Sequence, residues 1–263
     1  MSADGPVWRR FADRHPYLLA GAEPRPGAPV LVVVHGISRN AAEQARAFHE
    51  AARKAGTVLL APLFARDSCP DYQCLGRRGL RADLLLEGML AELAARYALA
   101  VERFHLFGFS GGAQFAHRYA LAYPDRIRTL TLAAAGWYTW LTQARRFPYG
   151  LAPHPRLADL RFDAAAFLQL PLRLFVGERD VEADPHLRRH PWLDRRQGIH
   201  RRERAHRWIA HLRRTAAALG LRPDLRLEEL AGCGHDFRAC VRRGGLAHRL
   251  SEVLQPACEG VVS

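Results

Sequence analysis

No run of 18 or more apolar residues occurs in the 263-residue chain, so a membrane-spanning helix is excluded. The first 20 residues carry Arg9, Arg10, Asp13 and Arg14 where a secretory signal needs an apolar stretch. A cytoplasmic protein is the expectation. Lysine is almost missing: Lys54 stands alone beside 38 arginines in a chain of net charge +13. An excess of positive charge can mark a polyanion binder. Here the arginine skew runs the length of the chain, as a codon bias would, so specific nucleic-acid binding is not expected. There is no C-x-x-C pair, which leaves zinc knuckles and thioredoxin-like redox chemistry without support. The five cysteines (Cys69, Cys74, Cys233, Cys240, Cys258) are an odd number, unlike a disulfide framework, although Cys69 and Cys74 are close enough to bridge or to stay free.

Apolar material is plentiful. Hydrophobic residues make up 49% of the chain, which rules out a disordered polymer and supplies a sizeable core. Apolar runs alternate with helical patterns. Strands are expected at 30–34 (VLVVV), 57–61 (TVLLA), 104–107 (FHLF), 128–134, 172–176 and 225–230, with helices at 41–55, 80–97, 110–123 and 204–219. Strands buried on both sides and separated by helices read as an α/β protein with a mostly parallel sheet and helices on both faces. A single domain over residues 1–263 is expected. One stretch breaks the rhythm: residues 136–170 are rich in aromatics and proline and have no clean period. Following the fourth expected strand, this excursion falls where chain tends to cover a ligand crevice. The arginine-rich stretch 188–214 holds ten arginines. Its second half is an amphipathic helix, with Ala205, Trp208, Ile209, Leu212, Ala216 and Leu219 inward and Arg204, Arg207, Arg213 and Arg214 toward solvent.

The strongest chemical signal is Gly108-Phe109-Ser110-Gly111-Gly112, between an expected strand and an expected helix. G-x-S-x-G in that context is a nucleophile elbow: small residues flank a strained turn that lifts a serine hydroxyl over the sheet, at a helix N-terminus. A serine needs a base. His235, in GCGHD after the last strand, is the candidate, with His248 as fallback. The base needs an acid to fix its tautomer. Asp180 in GERD, after the fifth strand, is placed for this, with Glu178, Glu182 and Asp184 competing. Oxyanion donors are expected from the Gly111 N–H and from the Ile37 N–H in the loop HGISRN after the first core strand. His35 reads as a structural histidine of that loop. Trp137 and Tyr138 are the substrate-lining candidates, and Gln197 and Arg201 lie near the expected crevice. No metal or organic cofactor is implied.

These residues resemble the α/β-hydrolase superfamily, and more narrowly its esterase and poly(3-hydroxybutyrate) depolymerase-like branch. The resemblance covers residues 30–237 through VLVVVHGISRNA, TVLLAPLF, FHLFGFSGGAQFAHRYALAYPDRI, AAAGWYT with FPYGL, FVGERD, QGIHRRERA and GCGHDF. It implies the α/β-hydrolase fold and a Ser110–His235–Asp180 triad acting on a small or oligomeric carboxylic ester through an acyl-enzyme. Two other readings stay open: a thioesterase or amidase with the same triad, and a non-catalytic basic binder on the same fold.

Overall fold

The computed structural model describes residues 5–182 and 184–255; Cys258 lies outside them. Eight strands form one sheet: β1 (Val7–Phe11), β2 (His15–Gly21), β3 (Pro29–Val34), β4 (Val58–Pro62), β5 (Ala100–Phe109), β6 (Ile127–Ala133), β7 (Leu172–Gly177) and β8 (Leu225–Leu230). Their order is β1-β2-β4-β3-β5-β6-β7-β8. The pairs β1/β2 and β2/β4 are antiparallel, and all the others are parallel. The helices are α1 (Ala41–Lys54), α2 (Ala82–Tyr97), α3 (Gly111–Ala122), α4 (Ala164–Leu168), α5 (Pro191–Gln197), α6 (Arg201–Ala218), α7 (Phe237–Arg242) and α8 (Leu246–Leu254).

The six strands expected from the apolar runs are all present. The β1–β2 hairpin was not expected, since VWRRF carries two arginines in five residues and Pro16 interrupts the next run. Pro16 is tolerated because it sits at the start of β2, paired with Arg10 of the edge strand. Alternate residues of the central strands feed two cores. Val30, Val32 and Val34 join α2, α3 and α6 on one face, while Leu31 and Val33 pack against α1 and α8 on the other. Burying each such side chain contributes roughly 1.5–3 kcal/mol, and this pattern holds the helices to the sheet. Helix α3 is buried on nearly every side, because the 136–170 excursion covers its outer surface.

Polar side chains hold that excursion down. The Trp208 indole N–H donates to the Thr139 carbonyl at 3.0 Å, and Arg118 Nε donates to the Thr139 hydroxyl at 3.1 Å. His117 Nε2 accepts the Thr139 N–H, and His211 Nε2 accepts the Leu141 N–H, each at 3.0 Å. Two expectations about α6 are corrected. Arg204 does not face solvent; it is fully buried, donating to the carbonyls of Gly198, Gly136 and Arg188 and pairing with Asp194 at 2.8 Å. Leu219 is exposed, just past the helix end. Cys69 and Cys74 are both buried free thiols. Among the described residues, no helix is long and apolar enough to cross a membrane.

The buried imidazoles make an acid-sensitive fold. Burial pulls the pKa of His35 down to about 3 and those of His105 and His211 down to about 4, and holds His117 well below its ordinary value. In the unfolded chain each titrates near 6.5. Between pH 6.5 and 4 the unfolded chain therefore binds more protons, and stability rises with pH across this window. Lowering the pH from 7.5 to 5 is expected to cost up to about 1.4 kcal/mol per histidine for each unit below 6.5. Urea unfolding at the two pH values checks this, and an unchanged midpoint contradicts it.

Candidate active site

Ser110 stands between the end of β5 and the first residue of α3, at φ +54° and ψ −112°. A serine held at positive φ stores roughly 1–3 kcal/mol of strain, which its surroundings must impose. They do so through close backbone contact. A Cβ on Gly112 would stand 1.9 Å from the Val34 carbonyl oxygen, and one on Gly108 would stand 2.3 Å from the Gly112 carbonyl carbon. Only glycine fits at either place. The Ser110 N–H donates to the Ala133 carbonyl at 2.8 Å, tying the elbow to the end of β6.

The loop from β8 to α7 carries His235 across to the elbow. Asp236 closes this loop by accepting the Ala239 N–H at 2.7 Å as the cap of α7. The His235 ring stacks on Phe109, with centroids 5.5 Å apart and planes at 21°. Its Nε2 lies 3.0 Å from Ser110 Oγ, and its Nδ1 lies 3.0 Å from Asp180 Oδ2. With Nδ1–H donating to the carboxylate, Nε2 is free to accept the serine proton. Asp180 is buried in the tight turn after β7, its N–H donating to the Gly177 carbonyl. Arg201 Nη1 is 3.4 Å from its second oxygen and 2.5 Å from Asp184 Oδ2. Glu182 is exposed on the cleft wall, and the other three competing groups have partners of their own. Glu178 accepts the Gly232 N–H, Asp184 is held by Arg201, and exposed His248 pairs with Glu252.

The loop after β3 brings Ile37 against the same elbow. A Cβ on Gly111 would stand 2.7 Å from the Tyr72 hydroxyl, 2.8 Å from Ile37 Cγ2 and 3.3 Å from Ile37 N, so the two loops meet closely here. Among the described residues, neither the Ile37 nor the Gly111 N–H has an acceptor. His35 braces the loop from below: Nε2 accepts the Phe64 N–H at 3.0 Å and Nδ1–H donates to the Gly36 carbonyl at 2.8 Å. Tyr72, which no sequence pattern singled out, donates to the His35 carbonyl at 2.7 Å and lies under the Arg39 guanidinium.

These groups open into a cleft of about 930 Å³ whose walls include Ile37, Phe109, Gln114, Gly136, Arg201 and Phe237. The excursion contributes differently from expectation. Trp137 lines a smaller cavity beside the cleft. Tyr138 lies on neither wall: it is fully buried, stacked on Trp208 at 4.3 Å, because its backbone turns it toward α6. Gln197 sets that turn, its side chain accepting the Tyr138 N–H and donating to the Tyr138 carbonyl, and so it too belongs to the scaffold. Of the two residues expected near the crevice, Arg201 alone reaches it. Among the described residues, no group of three or more His, Cys, Asp or Glu side chains is disposed to hold a metal ion.

A mostly parallel sheet with a strained serine at a strand-to-helix turn defines an α/β-type hydrolase scaffold. Residues 29–216 match the family model described as alpha/beta hydrolase fold, and the chain belongs to that family. Solved structures similar to it include a polymer hydrolase and a polymer depolymerase. It is 25% identical to the poly(aspartic acid) hydrolase-1 of Sphingomonas sp. KT-1, with a TM-score of 0.78 over 95% of this chain and 98% of that one. It is 27% identical to a poly(3-hydroxybutyrate) depolymerase of Bordetella parapertussis, with a TM-score of 0.75 over 94% and 89%. An S-formylglutathione hydrolase of Agrobacterium tumefaciens shares the fold at 15% identity and a TM-score of 0.58, covering 97% of each chain. No curated protein matches the chain.

The elbow packing predicts a contrast between two glycines. Gly112→Ala is expected to cost about 4 kcal/mol or more, since its Cβ meets backbone rather than a side chain that can move. Gly234→Ala, whose Cβ would have Arg179 O at 3.8 Å as its near neighbour, is expected to lose well under half as much. Thermal melts of the two variants measure the difference.

Proposed function

We propose that the protein is a serine hydrolase that cleaves carboxylic esters through an acyl-enzyme. The observation that carries this reading is the hydrogen-bonded chain Ser110–His235–Asp180, with both links at 3.0 Å. Ser110 Oγ attacks the ester carbonyl as His235 Nε2 takes its proton, and buried Asp180 stabilises the imidazolium so formed. The Ile37 and Gly111 N–H groups receive the oxyanion. Collapse breaks the bond to the alcohol, which leaves with the proton from His235. Water then enters, gives its proton to His235 and attacks the acyl carbon, and the carboxylic acid departs as Ser110 recovers its hydrogen. The substrate is a small or oligomeric ester, and neither nucleic acid nor a membrane is part of the reading.

A second reading, amide hydrolysis with the same groups, draws on the likeness to the poly(aspartic acid) hydrolase, whose named polymer is linked by amides. Matched ester, thioester and amide substrates with one acyl group separate the two.

Ser110→Ala is expected to abolish fluorophosphonate labelling and to lower kcat by a factor on the order of 10⁵–10⁶. Retention of a sizeable fraction of turnover on esters removes the proposal. Asp180→Asn is expected to lower kcat by roughly 10⁴, and Asp184→Asn by far less. If Asp184→Asn is the more damaging, the acid is misassigned. Ile37→Pro deletes one oxyanion donor and is expected to reduce kcat by roughly 10²–10³, whereas Ile37→Ala keeps the N–H and most of the rate. The loss should appear in kcat more than in KM, because the donor meets charge present only in the transition state. A melting curve alongside separates lost chemistry from lost fold.

A further inference from the structure

Beyond Gln114 and Gly136 the cleft passes into a cavity of about 220 Å³, between residues 71–78 and the excursion. Its charge differs in kind from that of the cleft. Around Ser110 the walls carry both signs in near balance, with Glu43, Asp180 and Asp184 among the acids and Arg66, Arg179 and Arg201 among the bases. The smaller cavity is lined by Arg77, Arg78 and Arg188, with Asp71 as the one acid among its lining residues. Asp71 is already engaged, 3.0 Å from Arg77 and 3.8 Å from Arg78.

A fourth guanidinium lies behind the wall. Arg118 is fully buried, its carbon 4.1 Å from the centroid of the Trp137 ring that lines the cavity. It donates to the Gln73 carbonyl at 2.6 Å, and its Nη2 is buried with no hydrogen-bond partner. Among the described residues no carboxylate pairs with it. Arg188 approaches the same indole, at 5.8 Å from the ring centroid. Four positive groups thus converge on one engaged carboxylate. A buried cation without a counter-ion is costly, and an anion entering beside it relieves that cost. The positive lining continues outward: an adjoining depression of about 460 Å³ shares Arg77 and Tyr149 and adds Arg145 and Arg146, with no acid among its lining residues.

We propose that this cavity is a subsite for a carboxylate carried by the substrate. Building on the esterase reading, it narrows the substrate class to esters that bear a free carboxylate a few bonds from the scissile carbonyl. Arg188 and Arg77 supply the accessible donors. Arg118 acts through the field behind Trp137, without contact.

Two ester pairs test this and locate the carboxylate. On the acyl side the pair is mono-4-nitrophenyl adipate against 4-nitrophenyl hexanoate; on the alcohol side it is 4-(butanoyloxy)butanoate against butyl butanoate. In at least one pair the charged ester is expected to have the higher kcat/KM, by tenfold or more. That ratio should fall at least tenfold in Arg188→Gln and shrink as salt is raised. Arg188 is exposed, so the substitution leaves the core in place, and Arg77→Gln gives an independent reading. Ratios within twofold in both pairs, or ratios indifferent to both substitutions, overturn the subsite while turnover of the neutral esters leaves the esterase reading standing. If no ester is turned over, calorimetric titration with glutarate decides. Binding that Ser110→Ala keeps and Arg188→Gln weakens tenfold or more supports the subsite without the esterase reading, and absence of binding overturns it.

Discussion

The contact between Gly112 and the carbonyl of Val34 is the constraint on which the candidate site depends. It forces α3 to start hard against the end of β3, and that start holds Ser110 at positive φ. Because β3 and β5 are parallel neighbours, with Val34 opposite Gly108, the loops that follow them emerge at the same end of the sheet. The loop after β3 crosses the N-terminus of α3, and this sets Ile37 beside Gly111. The later strands β7 and β8, parallel in the same sheet, deliver Asp180 and His235 to that end too. Ser110, Asp180 and His235 each lie within five positions of the end of their strand, and the meeting of the three side chains follows from strand order and direction.

A long irregular segment laid over α3 raises a different problem: its backbone groups have no strand to pair with, and unpaired polar groups are costly to bury. This chain meets it with two residue types used as complements. Arginine has only donors, and a buried guanidinium gathers carbonyls; Arg204 alone takes three from Gly136, Arg188 and Gly198. Neutral histidine offers an acceptor, and His35, His117 and His211 each receive a loop N–H. The histidines can do so only while unprotonated, which burial ensures. Part of the arginine excess is therefore internal scaffold, a role that overall charge does not reveal. Arg118 differs from Arg204, which has Asp194 beside it.

Local pattern was enough for the elements whose apolar residues recur at one period. The central strands, α1, α2, α3 and α6 were legible for that reason, and the glycine spacing around Ser110 was legible because sterics there depend on adjacent residues alone. The β1–β2 hairpin was not, since β1 is short, with Arg9 and Arg10 in its middle and alternate residues exposed, and β2 opens on His15 and Pro16. Tyr138 and Gln197 misled for a related cause. Proximity to a strand end suggested the cleft, but one bidentate amide interaction between them turns the tyrosine to the core.

What the sequence determined by itself is the chemistry on offer: a serine in a glycine-flanked turn, a histidine and an aspartate after later strands, and a sheet able to bury its middle. These are local properties, carried by neighbours in the chain. Tertiary structure decided which acid faces His235, which arginines are buried, and where the positive charge collects. Each of those depends on residues 45 to 125 positions apart brought within a few ångströms. The field at such a site is a sum over neighbours in space, and the order of residues along the chain does not contain that sum.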